Sequence, residues 1–335
     1  MTPVLGAALV ALTALSLYAI LGGADFGGGV WDLFASGPRR QAQRDAITDA
    51  IGPVWEANHV WLIFAIVALF TCFPPAFADV GENLSAPLTL ALLGIVMRGA
   101  AFVFRNHESE SFAAARSWTA IFGAASITAP FFLGDAAGAI ATGHYAWTSP
   151  FALSAGVFAV ALCAQVAAVF LVRETSHDPA LRHDFRRRAV RATLAVWIAG
   201  LVPALLAHQA EPALFAALVG PAARVAIASA MLLGIVVMLL IANHRDTLAR
   251  VAVGAEALAV LGGWFGAQAP NLIPGRWTYQ SAAAAPAMLN AFLVATAIGA
   301  LFLIPSLVLL FAMFKGHGRG STAAAPDSQL GENLV

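Results

Sequence analysis

Among the ionisable side chains inside long apolar runs three stand out: Asp25 in GGADFGGGVWDLF, Glu56 in GPVWEANHVWLI and Arg98 in IVMRGAAFVFR. A charge at the centre of a lipid-embedded helix costs about 2.5–3.5 kcal/mol on insertion scales, so such groups face protein, water or an opposite charge. Two kinds of chemistry suit two acids and a base at that depth. The carboxyls pass protons along a lined path, or acid and base pair permanently and fix how the helices pack. Residue types alone leave both readings open. Around Glu56 the chain crowds Trp55, Asn58, His59 and Trp61 into one stretch. Glu56 and His59 are three residues apart and share a helix face. Asp25, Glu56, Asn58 and His59 are therefore the candidate proton path. Arg98, Trp55 and Trp61 are the candidates for charge pairing and packing.

Glu-x-x-His is also half of the ligand set of di-iron helix bundles. A second copy, Glu174 to His177, falls in a basic loop without further carboxylates, so no metal site is expected. The run Gly27-Gly28-Gly29 lacks the Gly-Lys-Ser/Thr of a phosphate loop, and its small residues suit close helix packing instead. Glu256 is a further acid inside an apolar run, with a polar interior contact as its expected role.

These residues need membrane helices to position them. The chain has 335 residues, 60% of them hydrophobic and 11% charged, with mean hydropathy +0.80. A soluble domain carries roughly 25% charged residues, so lipid is the solvent for most of this surface. A net charge of zero gives no basic excess for nucleic acid. Cys72 and Cys163 are too few for a disulfide framework and sit in apolar runs as small hydrophobes. The opening MTPVLGAALV has no basic flank and reads as a retained first helix.

Apolar runs long enough to span a bilayer occur near 4–34, 54–74, 84–104, 117–141, 150–172, 190–209, 222–243, 249–268 and 286–314. The expected fold is all-α integral membrane with about nine transmembrane helices. One polytopic helical domain covers 1–315, and a polar, glycine-rich cytoplasmic tail covers 316–335. With the N-terminus outside, fifteen lysines and arginines fall in cytoplasmic segments and two, Arg224 and Arg276, in outer ones. That asymmetry places the C-terminus in the cytoplasm.

In order along the chain, GADFGGGVWDLF, IGPVWEANHVWLI, RGAAFVFR, GGWFGAQAPNLIP and LIPSLVLLFAMF closely resemble subunit II of the cytochrome bd quinol oxidases. The resemblance implies two four-helix bundles plus a peripheral helix in a bacterial inner membrane. It implies a partner, the homologous subunit I, which carries two b-type haems, one d-type haem and the quinol site. The subunit II chain then binds no haem, stabilises subunit I and conducts cytoplasmic protons toward the place where oxygen is reduced. Glu56 and Asp25 match acidic positions of the family. A small single-span subunit and a structural quinone are further open expectations. The chain departs from the family at Gly22, Val103 and Thr119, where many members carry acids, and this marks a divergent branch. A secondary transporter and a purely structural scaffold are the competing functions.

Overall fold

The computed structural model describes residues 2–51, 55–107 and 112–316. Its helices are α1 (Pro3–Leu33), α2 (Arg40–Ile51), α3 (Trp55–Cys72), α4 (Pro74–Asn83), α5 (Ser85–His107), α6 (Phe112–Thr142), α7 (Pro150–Glu174), α8 (Pro179–Ala210), α9 (Pro212–Leu218), α10 (Pro221–Ala242), α11 (Asp246–Gln268) and α12 (Pro286–Gly316). Proline opens α1, α7 and α8, where its missing N–H costs nothing. The side chains of Thr2, Ser149 and Asp178 cap the same three starts by accepting backbone N–H groups.

Eight helices are long and apolar enough to cross a membrane: α1, α5, α6, α7, α8, α10, α11 and α12. A ninth crossing is counted when α3 is taken with α4, which meet at a bend of 117°. The apolar runs leave residues 75–83 as a connection, and the structure folds them as a helix instead. Pro74 and Pro75 explain the bend. Proline removes a helical N–H and drives the residue before it out of the α region, and Phe73 sits at φ −137°, ψ 55°. Three further elements lie outside the apolar runs, the short α9 between α8 and α10 among them. The amphipathic α2 buries Gln43, Ile47 and Ile51. A short hairpin pairs β1 (Asn271–Ile273) with β2 (Trp277–Thr278). Of the tail expected over 316–335, only Gly316 is described, and it ends α12; the remainder lies outside the described residues.

Helix α1 is central and packs on α3, α6, α7, α11 and α12. α5 lies against α6, while α7, α8, α10 and α11 form a second set joined to the first through α1 and α6. α12 touches α1 and α3 and turns Leu301 and Phe302 outward, each more than 70% exposed. Such a face suits lipid or an apolar partner.

The glycine run in α1 makes its close packing possible. A methyl group on Gly27 would overlap the carbonyl of Cys163 on α7, and one on Gly29 would overlap the Ser126 hydroxyl on α6. Small residues let backbones approach where no hydrophobic force drives helices together in lipid.

Candidate functional site

The site grows from matched spacings on two helices. Asp25 and Asp32 lie seven residues apart on α1, and Arg98 and Arg105 seven apart on α5. Seven residues are about two turns, so each pair projects from one helix face. The two faces meet in a ladder. Arg98 Nη2 donates to Asp25 Oδ1 at 2.6 Å and to the Asp25 carbonyl at 3.2 Å. Arg98 Nε donates to Ser126 Oγ at 3.1 Å, and that hydroxyl donates to the Phe122 carbonyl at 2.7 Å. One rung along, Arg105 Nη1 donates to Asp32 Oδ1 at 3.1 Å and Arg105 Nη2 to Thr48 Oγ1 at 2.9 Å. Arg44 stands 3.8 Å from Asp32 Oδ2.

The Phe122 ring separates the rungs, with the Arg98 and Arg105 guanidinium carbons 4.9 and 4.6 Å from its centroid. Both arginines thus gain a cation–π contact as well as a carboxylate. Asp25 and Arg98 are almost wholly buried. A pair taken that far from water holds only with this many hydrogen bonds around it. Burial lowers the Arg44 guanidinium from its ordinary range, and Asp32 pulls it back up.

Of the residues singled out in the sequence, the structure brings Asp25 and Arg98 into contact. Asn58 Nδ2 donates to the Leu21 carbonyl of α1 at 3.2 Å. The His59 ring lies 6.1 Å from Tyr18 and 6.2 Å from Phe26, centroid to centroid. Trp61 packs into the same cluster. The side chains of Trp55 and Glu56 lie outside the described residues. One oxygen of Asp25, Oδ2, and the Tyr18 hydroxyl are buried with no hydrogen-bond partner among the described residues.

Sequence reasoning missed Asp32, the Arg105 rung and Asp135. Both oxygens of fully buried Asp135 on α6 are without a hydrogen-bond partner among the described residues. The seven-residue recurrence of Asp and of Arg was the signal that would have found the ladder.

The family described as cytochrome bd terminal oxidase subunit II matches residues 3–314. The chain belongs to that family. The subunit II match agrees with curated relatives. A cytochrome bd ubiquinol oxidase subunit 2 of Bacillus subtilis is 29% identical over 61% of this chain and 62% of its own length. The cytochrome bd-I ubiquinol oxidase subunit 2 of Escherichia coli K12 is 26% identical over 49% of this chain and 47% of its own length. The chain thus aligns with less than two thirds of either relative. The solved bd oxidase of Geobacillus thermodenitrificans contains a similar fold, with a TM-score of 0.79 at 21% identity, over 94% of this chain and 99% of that one. With its apolar helices, this makes the subunit II chain an integral membrane protein.

The opposite end of the subunit II fold holds a polar latch. Asp79 on α4 accepts from Tyr145 Oη and Trp277 Nε1, each at 2.9 Å, and from Arg276 Nη1 at 3.3 Å. It ties the bent α4 to the α6–α7 connection and to the β-hairpin. Burial first, then the bond to Asp79, push the Tyr145 phenol above its ordinary range.

Proposed function

We propose that this chain is the haem-free subunit of a bd-type quinol:oxygen oxidoreductase in a bacterial cytoplasmic membrane. It braces a haem-bearing subunit I and leads cytoplasmic protons toward the oxygen-reduction site. The two b-type haems, the d-type haem and the quinol site belong to that partner, with a small single-span subunit and a structural quinone as further components. Family membership supports the assignment to a bd-type complex.

The observation that supports the proton role is the half-used carboxylate of Asp25. Arg98 holds Oδ1, while Oδ2 has no hydrogen-bond partner among the described residues. A carboxylate fixed at one oxygen keeps its geometry while the other exchanges a proton through water. Tyr18 lies seven residues along the same helix, and its hydroxyl is likewise buried without a hydrogen-bond partner among the described residues. Water bridging such groups is the ordinary way that buried polar atoms are satisfied. Asn58 and His59 of α3 line the same stretch of α1, and Glu56, one turn nearer the start of α3, is the proposed inlet.

The test is quinol-driven oxygen consumption per mole of d-type haem. Glu56→Gln and Asp25→Asn keep shape and most hydrogen bonding. Each is expected to slow turnover by on the order of a hundredfold, the scale of a lost proton-transfer group. Glu56→Gln should retain haem content, while Asp25→Asn also leaves Arg98 without its counter-charge and is read per mole of the haem that assembles. Full activity in the double variant overturns the proton role and leaves bracing as the function.

A further inference from the structure

The α7, α8, α10 and α11 helices converge on a second buried carboxyl that the ladder does not involve. Glu256 of α11 is 1% exposed, and no ion pair reaches it among the described residues. It lies ten residues into its helix, about 15 Å along the axis and near mid-membrane. Its Oε2 accepts from Gln165 Nε2 of α7 at 2.9 Å. The same amide nitrogen reaches Thr193 Oγ1 of α8 at 3.1 Å, and that hydroxyl donates to the Ala189 carbonyl at 3.0 Å.

Two more polar atoms of this cluster are buried without a hydrogen-bond partner among the described residues: Gln165 Oε1, an acceptor, and Trp197 Nε1 of α8, a donor. Gly234 on α10 lets the Trp197 indole and the Glu256 carboxyl crowd against its backbone, where a larger residue would meet both. Trp197 Nε1 and Glu256 Oε1 both border the point where a Gly234 Cβ would stand, at 2.8 and 3.0 Å. A lone carboxylate in an apolar interior is costly without a counter-charge or a hydrogen-bonding molecule. Water has the donors and acceptors these atoms need.

We infer that Glu256, Gln165, Thr193 and Trp197 form a water-occupied proton-exchange site within these four helices, separate from the Asp25–Arg98 ladder. The ligand class is water carrying a proton. Hydronium gives its proton to the carboxylate, leaving a carboxylic acid and a neutral water, and the reverse step returns it. Gln165 fixes one carboxyl oxygen, Thr193 fixes Gln165, and Trp197 holds the water against the other oxygen.

Infrared difference spectroscopy on the assembled complex, in H2O and in D2O, tests this without reading oxygen consumption. A protonated-carboxyl C=O stretch that shifts in D2O and disappears in Glu256→Gln is expected. Trp197→Phe, which keeps Glu256, is expected to move the same band, and it reads the site even if Glu256→Gln fails to assemble. The inference is overturned if no such band exists in the parent complex, if the band is insensitive to D2O, if it survives Glu256→Gln, or if Trp197→Phe leaves it in place. The outcome is independent of the Asp25 and Glu56 variants, so either proposal can fail alone.

Discussion

Five contacts converge on the Arg98 side chain: a carboxylate, a carbonyl, a hydroxyl and two aromatic rings. Removing one member of a buried pair leaves the other charged and unpaired, which costs about 3–5 kcal/mol. Arg98→Ala is therefore expected to lower the thermal midpoint of the detergent-solubilised complex sharply, or to prevent its recovery. Arg98→Gln combined with Asp25→Asn removes both charges and should regain most of that loss. A double variant no better than Arg98→Ala would show that the pair's charge is not what matters. The sequence made Asp25 and Arg98 legible because charge is rare in apolar runs. It hid Asp32 and Arg105, which sit at the ends of such runs and resemble ordinary flanking charges. It also hid which partner meets Glu256, since Gln165 is distant in sequence and uncharged.

At the scale of elements, length and hydropathy were enough to locate the spanning helices, because lipid forces every backbone polar group into an internal bond. The helix α4 was not visible to the same reasoning. Pro74-Pro75 marks a break, yet the path of the chain after a break is decided by contacts such as those of Asp79 with residues nearly two hundred positions later. The glycines of α1 were read as packing residues, and the structure gives Gly27 and Gly29 their neighbours on α7 and α6. Gly29→Ala should destabilise by about 1–3 kcal/mol, the usual cost of overpacking, because the new methyl meets Ser126 and Phe122. Gly262 on α11 has nothing within 4 Å of its missing Cβ. Gly262→Ala should be neutral or stabilising by up to about 1 kcal/mol, as for an exposed helical glycine. Thermal melts of the two variants side by side check the contrast, and equal midpoints would remove the close-packing role of α1.

At the scale of the whole molecule, the arginine-rich connections fall at one end of the helices. Arg39 pairs with Asp184, Arg182 with Asp246, and Arg250 with Glu174. The proposed orientation puts this end in the cytoplasm. Reporter fusions after Gly143 and Gln209 should then report the outside, and fusions after Arg182 and at the C-terminus the inside. A C-terminal reporter found outside would mean that the bent α3–α4 pair does not cross as a single span. The ladder also has an electrical consequence. A transmembrane voltage acts on an isolated charge with about 2.3 kcal/mol per 100 mV, but an acid and a base joined at one depth feel opposite and nearly equal forces. While Asp25 and Asp32 are ionised, their pairs with Arg98 and Arg105 therefore carry almost no gating charge, and this pairing should hold equally well in an energised and a discharged membrane.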